Sequence, residues 1–253
     1  MTERLAGHSV LVTGAASGMG RSTTVRLVAE GATVTAVDRD EAGIEETVKL
    51  TDAADRVLAC TADVSREADV VAAIDAAVEA NTSLSGVVTC AGIFHPGDLK
   101  PAADVTLDDF LHVIGVNLAG TFLAIKYALP HLVEAGGSIV TIASTAAIRG
   151  HGFGSGYTAS KGGVDALTRL VATQYGKQGV RANCICPGGI DTPMTAGRFL
   201  TPGATEVFEK RVPLARVGQP DEIAAVAAFL LSDDAAYLSG QTVAVDGGST
   251  IAG

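Results

Sequence analysis

Short runs of apolar, β-branched residues alternate with longer stretches whose apolar positions recur at helical spacing, from one end of the chain to the other. The short runs predict strands over about 8–13, 32–37, 56–61, 86–89, 137–143, 180–186 and 242–245. The amphipathic stretches predict helices over about 18–30, 41–50, 67–80, 106–134, 156–177 and 221–231. The segment 106–134 contains Pro130 and is long enough to bend or end there. Strands that alternate with helices imply parallel pairing through right-handed crossovers. The expected fold is α/β: a Rossmann-type, doubly wound, seven-stranded parallel sheet with helices on both faces. No break in composition marks a second unit, so one domain over 1–253 is expected.

One stretch departs from the rhythm. Between 191 and 219 lie Pro193, Pro202 and Pro213, with Gly197, Gly203 and Gly218 among them, and Pro220 follows. A long insertion after the sixth strand falls at the carboxyl ends of the strands, where ligands bind in open α/β sheets. It is expected to act as a substrate lid.

Composition narrows the picture. Hydrophobic residues are 47% of the chain and aromatics 4%, with no Trp, so the core is built from Ala, Val, Leu and Ile. That usage suits strands covered on both faces. The net charge is −10 and no basic run exceeds the pair Lys210–Arg211, which argues against nucleic acid or an anionic membrane surface as partner. The residues from Met1 to Leu5 lack the apolar stretch of a signal peptide, and the longest apolar run, 223–231, is shorter than the ~20 residues of a membrane span. A cytoplasmic protein is expected. Cys60, Cys90, Cys184 and Cys186 have neither metal-ligand nor thiol-redox spacing, and no metal is expected. Cys184 and Cys186 should share one face of a strand as small packed residues.

Candidate chemistry lies at two places. The first strand runs into Gly14, then Ser17, Gly18, Met19 and Gly20 at the start of a helix. Glycines allow a tight turn and close backbone approach, and a helix N-terminus offers free N–H groups to a pyrophosphate. Asp38 ends the second strand about 20 residues on, where a carboxylate can take both ribose hydroxyls and repel a 2′-phosphate. Arg39 could instead receive that phosphate, but Ser17 adds no second cation in the loop, so NAD is expected over NADP. Asp63, followed by Val64, could meet the adenine or could serve as a helix N-cap ahead of Ser65. Further along, Tyr157 and Lys161 are four apart, on one face of a helix. A phenol titrates near ~10, and a nearby cation should lower that value toward the range of acid/base work.

Taken in order, these residues resemble the short-chain dehydrogenase/reductase family in its single-domain form, over nearly the whole chain from Val10 to Gly248. The set comprises the turn Thr13-Gly14 to Gly18-Met19-Gly20, Asp63, Ala91-Gly92, Asn117, Ser144, Tyr157, Lys161, and Pro187-Gly188 with Thr192. The resemblance implies that Tyr157 is the catalytic acid/base and that Ser144 orients the substrate oxygen beside it. It implies that Lys161 holds the ribose of the nicotinamide half, and that Asn117 anchors a water leading from Lys161 to solvent. By the same resemblance Ala91 and Gly92 contact the cofactor by their backbone, and Pro187, Gly188, Ile190 and Thr192 pass the nicotinamide. One position departs: the family usually has two asparagines before Ala-Gly, where this chain has Thr89-Cys90.

The expected reaction is reversible hydride transfer between NAD and a secondary alcohol or ketone. Candidate pocket residues are Phe94, His95, Pro96, Ala146, His151, Phe153, Gly189, Met194 and Phe199, a mainly apolar set without a cationic cluster. His151 could read a polar substrate group or simply face solvent. A rival enzyme reading is a 3-oxoacyl-thioester (acyl-carrier-protein) reductase using NADPH. A rival of another class is a non-catalytic NAD sensor, which would have no need of Ser144, Tyr157 and Lys161. The partner is expected to be a small molecule. The long helices 106–134 and 156–177 suggest a homotetramer or homodimer.

Overall fold

A computed structural model describes residues 3–150, 154–196 and 202–252. Seven strands, β1 (Ser9–Thr13), β2 (Thr33–Asp38), β3 (Val57–Thr61), β4 (Gly86–Thr89), β5 (Ser138–Ile142), β6 (Arg181–Pro187) and β7 (Thr242–Val245), form one sheet in the order β3-β2-β1-β4-β5-β6-β7. Every pairing is parallel. The order reverses between β1 and β4, whose ends are level, Thr13 opposite Thr89. A crevice opens at such a switch point, outside the carboxyl ends of the strands.

Alternation along the strands sends side chains to opposite faces, and helices cover both. Val10, Val12, Val140 and Ile185 pack under α1 (Gly18–Ala29) and α8 (Pro220–Leu231), with Leu27, Ile223 and Leu231. Leu11, Val87, Ile139 and Ala182 face the other way and pack under α3 (Glu67–Asn81), the helix α5 described below and α6 (Ser155–Tyr175), with Ile74, Ile125 and Val171. A shorter helix, α2 (Glu41–Lys49), starts on Asp40, whose carboxylate accepts the Gly43 N–H at 3.1 Å.

Two regions differ from the expectation. The segment 106–134 is a continuous helical rod of three parts: α4 (Leu107–Ile114), a π-helical turn (Gly115–Ala119) and α5 (Gly120–Ala135). Pro130 does not end it; the rod continues to Ala135 and stops at Gly136, whose φ of 62° is left-handed. Buried Ala128, Leu129 and Leu132 hold the turns around the proline against the sheet. The rod, Leu107–Ala135, is 29 residues long and apolar enough to cross a membrane, whereas no single apolar run had suggested it. Its buried face belongs to the core of the sheet, as a core helix requires. The second difference is α7 (Pro202–Arg211), a helix inside the stretch between 191 and 219 that the density of Pro and Gly had concealed.

Ile139 is fully buried in the centre of β5, and Leu107 is 69% exposed at the start of α4. Ile139→Ala should lower the free energy of urea unfolding by about 2–5 kcal/mol, and Leu107→Ala by less than about 0.5 kcal/mol.

Candidate active site

The crevice is a cleft of about 300 Å³ lined by the β1–α1 turn, Asp38 and Arg39 after β2, Ala62, Asp63 and Val64 after β3, and Cys90, Ala91, Gly92 and Ile93 after β4. Thr192, Pro193 and Met194 close it on the far side. Gly14 has φ +72°, and a Cβ there would sit 2.7 Å from the Ala91 N. Only glycine lets the two loops meet at this distance. Ser17 is the N-cap of α1 but its side chain caps nothing, and no acidic residue stands in the first turn. The first N–H groups of α1 therefore point into the cleft as a ready anion site.

Asp38 has a structural task as well as an exposed face. Its Oδ2 accepts the Ala16 N–H at 3.0 Å and its Oδ1 the Asp40 N–H at 3.1 Å, tying the glycine turn to the end of β2. Arg21 and Thr47 brace the same turn: Arg21 donates to the Ala16 carbonyl at 2.5 Å, and Thr47 Oγ1 to the Ala15 carbonyl at 2.8 Å. Asp63 takes a local partner. Its Oδ1 accepts from Ser65 N at 2.9 Å and Ser65 Oγ at 2.7 Å, while the N-cap position of α3 is Arg66. The hydroxyl of Ser65 holds the Asp63 carboxyl below its ordinary value, aided by the nearby charge of Arg39. The Cys90 departure leaves the backbone intact: Cys90 N–H donates to the Thr13 carbonyl at 3.1 Å and Ala91 N–H to Thr13 Oγ1 at 3.2 Å. Burial pushes the Cys90 thiol up to about 12, so it stands protonated on the cleft wall.

Beside the cleft the expected catalytic residues converge. Ser144 leaves β5 and accepts the Ala146 N–H at 3.1 Å. Tyr157 and Lys161 stand one turn apart on α6, 8% and 5% exposed. Asn117 sits in the π-helical turn, wholly buried. A π turn carries an extra residue and re-aims side chains, which is a frequent feature of functional sites. Asn117 Oδ1 accepts the Ile93 N–H at 2.8 Å, and Nδ2 donates to the Ile93 carbonyl at 3.2 Å and to Ser160 Oγ at 3.3 Å. Gly92 lies where cleft and catalytic groups meet: a Cβ on it would be 3.4 Å from Asn117 Oδ1 and 3.5 Å from Lys161 Nζ.

The electrostatics correct one expectation. Burial pushes the Tyr157 phenol above its ordinary value, and a hydrogen bond with Ser144 works against that push. Lys161 does not lower it here. Its Nζ donates to the Ile142 carbonyl at 2.8 Å and lies 5.8 Å from the centroid of the Tyr157 ring. Burial depresses Lys161 itself to about 8, opposed by the neighbouring thiols Cys184, Cys90 and Cys186. Cys184 and Cys186 are fully buried on β6, as their alternation implied.

The remaining candidates divide. Phe94 stacks on Tyr157 with centroids 4.3 Å apart, and Ala146 and Val113 pack around the pair. His95 turns toward α4, its Nδ1 3.2 Å from Asp109 Oδ1. Pro96 begins a short 3-10 helix, Pro96–Leu99. Gly189 and Ile190 line a second cavity of about 100 Å³ with Phe208 and Leu214 rather than the main cleft, and neither Pro187 nor Gly188 reaches the cleft wall. His151, Phe153 and Phe199 lie outside the described residues. Asp98, Arg21, Thr47 and Ser160 were not anticipated; each acts on backbone across a turn or across the fold, where no spacing rule announces it.

Known proteins agree with this geometry. A family model described as enoyl-(acyl carrier protein) reductase matches residues 14–250. Levodione reductase of Leifsonia aquatica is 43% identical over 261 residues, covering 99% of this chain and 97% of the relative. Cis-4-hydroxycyclohexanecarboxylate dehydrogenase of Sinomonas cyclohexanicum is 38% identical over 251 residues, covering 99% of each. A crystal structure of levodione reductase matches with a TM-score of 0.91 at 40% identity, over 98% of this chain and 99% of that one. The chain belongs to the short-chain dehydrogenase/reductase family. It is an oxidoreductase that interconverts alcohols and ketones, and its cofactor is a nicotinamide dinucleotide, which the open N-terminus of α1 and the glycine turn fit.

The buried ammonium of Lys161 has no carboxylate beside it among the described residues, so its charge opposes folding. Lys161→Met should melt on the order of a few degrees above the parent at pH 7. The unfolded chain retains the Lys161 proton up to its ordinary 10.5 and the folded protein releases it near about 8, so the parent gains stability as pH rises between these values. The advantage of the variant should therefore shrink over that interval, and calorimetry at pH 7 and pH 10 measures it.

Proposed function

We propose that this protein is an NAD-dependent dehydrogenase/ketoreductase of neutral, ring-bearing secondary alcohols, with Tyr157 as its acid/base residue. The observation that carries the reading is the convergence of Ser144, Tyr157, Lys161 and Asn117 beside one cleft whose other end fits a dinucleotide. When bound, the dinucleotide supplies the hydride acceptor or donor. The chain supplies the rest. Tyr157 donates its phenolic proton to a carbonyl oxygen in reduction and accepts the alcohol proton in oxidation, and Ser144 orients that oxygen through the hydrogen bond it shares with the phenol. Lys161 and Asn117 hold the ribose side of the site and lead protons away.

The adenosine end supports NAD. Asp38 presents a carboxylate to the cleft, where it would take ribose hydroxyls and repel a 2′-phosphate. Asp63 and Val64 take the adenine, the backbone at Ala91 and Gly92 the nicotinamide-side ribose, and Thr192, on the cleft wall, the carboxamide. A ring-bearing substrate is supported by the printed name of the cyclohexane-carboxylate relative and by the apolar wall of Phe94, Val113 and Ala146. The stretch from 191 to 219 then acts as a lid over a single cofactor-binding and catalytic domain, and Met194 on the cleft wall contributes to the pocket. Leu111 on α4, Phe122 on α5 and Leu170 on α6 are 51%, 46% and 50% exposed, a pattern that supports pairing of these helices in a homotetramer of cytoplasmic enzyme. The description of the matching family model favours a second reading, reduction of an acyl thioester, for which NADPH is the expected cofactor. The two separate in one assay with cyclic secondary alcohols, 3-oxoacyl and enoyl thioesters, each with both cofactors.

Tyr157→Phe should lose at least roughly 10³-fold in kcat with the dissociation constant for NADH changed less than about threefold. Because the phenol titrates high, alcohol oxidation should speed up and ketone reduction slow down as pH rises, since the first needs the ionised form and the second the neutral one. Parallel pH–rate profiles in the two directions check this.

A further inference from the structure

The catalytic helix has no cap of its own. Its N-cap residue, Gly154, has no side chain, and no acidic residue stands in the first turn of α6. The cap comes from 58 residues upstream: Asp98, in the 3-10 helix Pro96–Leu99, places Oδ1 2.6 Å from the Gly156 N and Oδ2 2.8 Å from the Tyr157 N. Asp98 is 1% exposed, so each carboxylate oxygen is committed to one backbone donor in a dry setting, where such bonds are short and strong. The approach is possible because position 154 is glycine; a Cβ there would overlap the carboxylate, and one at Gly156 would stand 3.1 Å from Oδ1.

Asp98 ends a segment that touches the site at three levels. Ile93 is gripped by Asn117, the ring of Phe94 lies on the ring of Tyr157, and Asp98 binds the backbone of the same tyrosine. Between them, His95 Nδ1 lies 3.2 Å from Asp109 Oδ1 on α4. We infer that Asp98 is a positioning residue: by capping α6 on the N–H of Tyr157 it sets the height and rotation of the phenol relative to the loop after β4. The inference rests on the assignment of Tyr157 as acid/base residue. A shift of about 1 Å in a reacting group costs on the order of 100-fold in rate, so the cap need only hold Tyr157 to that tolerance to govern turnover.

Two substitutions test it. Asp98→Asn keeps size and one acceptor but turns an amide N–H toward a backbone N–H; Asp98→Ala removes both acceptors. Folded protein is quantified by circular dichroism, cofactor affinity by NADH fluorescence, and turnover per folded site with a cyclic ketone. The expected result is a graded loss in kcat, roughly 10-fold for Asp98→Asn and roughly 100-fold for Asp98→Ala, with the dissociation constant for NADH within about threefold of the parent. A merely structural cap would lower the melting temperature and leave kcat per folded site unchanged, and that result overturns the inference. So does a loss of NADH affinity in step with kcat. Tyr157→Phe, run alongside, separates the two readings. If it retains turnover, the acid/base assignment fails. If it is inactive while Asp98→Asn matches the parent, only the positioning role fails.

Discussion

The ammonium of Lys161 is buried at the point where most of the site meets, and the surrounding structure is arranged to tolerate it. A charge moved out of water is costly unless hydrogen bonds and polarisable neighbours replace its hydration. Here the carbonyl at the end of β5, Ile142, accepts one hydrogen bond, and the thiols of Cys90, just after β4, and of Cys184 and Cys186 on β6 lie near the charge, with no carboxylate beside it among the described residues. Gly92 keeps its side open toward the cleft. The ammonium is thus bonded at the end of β5 beside the ends of β4 and β6, and parallel pairing of these strands brings their ends together. An unpaired, poorly hydrated cation next to a cleft that fits an anionic dinucleotide is a site that sacrifices stability for binding.

Around that charge, the loop after β4 does more than line a wall. It meets the glycine turn at Gly14, where no Cβ fits, and the π-helical turn through both amide atoms of Asn117. It meets α6 through Phe94 and Asp98. The nucleotide end and the catalytic end are therefore joined by one short stretch of backbone, whose bonds to Thr13 and Asn117 are partly buried and whose bonds through Asp98 are fully buried. Replacement of the usual asparagine by Cys90 is compatible with this, because the bonds that hold the loop to β1 come from the N–H groups of Cys90 and Ala91.

What could be read in advance was what repeats or what has a fixed spacing. The short apolar, β-branched runs of β1 and β5, the glycine turn from Gly14 to Gly20 and the separation of Tyr157 from Lys161 all followed from the pattern along a single element. Features created by contact between distant segments could not. Asp98 caps a helix far along the chain, and Asn117 owes its aim to a π turn that hydrophobic spacing does not distinguish from α. The prolines around α7 hid a helix that lies between them. The direction of the Tyr157 shift reversed for the same reason: sequence shows a lysine one turn away, whereas burial, the dominant cause, exists only after packing.

The central claim is that this site passes a hydride directly between a carbinol carbon and the nicotinamide while Tyr157 handles the proton. It is tested most directly by oxidising cyclohexanol deuterated at the carbinol carbon with NAD and weighing the reduced cofactor by mass spectrometry. The account predicts one deuterium in each NADH formed by the parent, and no detectable NADH from Tyr157→Phe on the same timescale. Deuterium released to water, or equal labelling by the Tyr157→Phe variant, would contradict it.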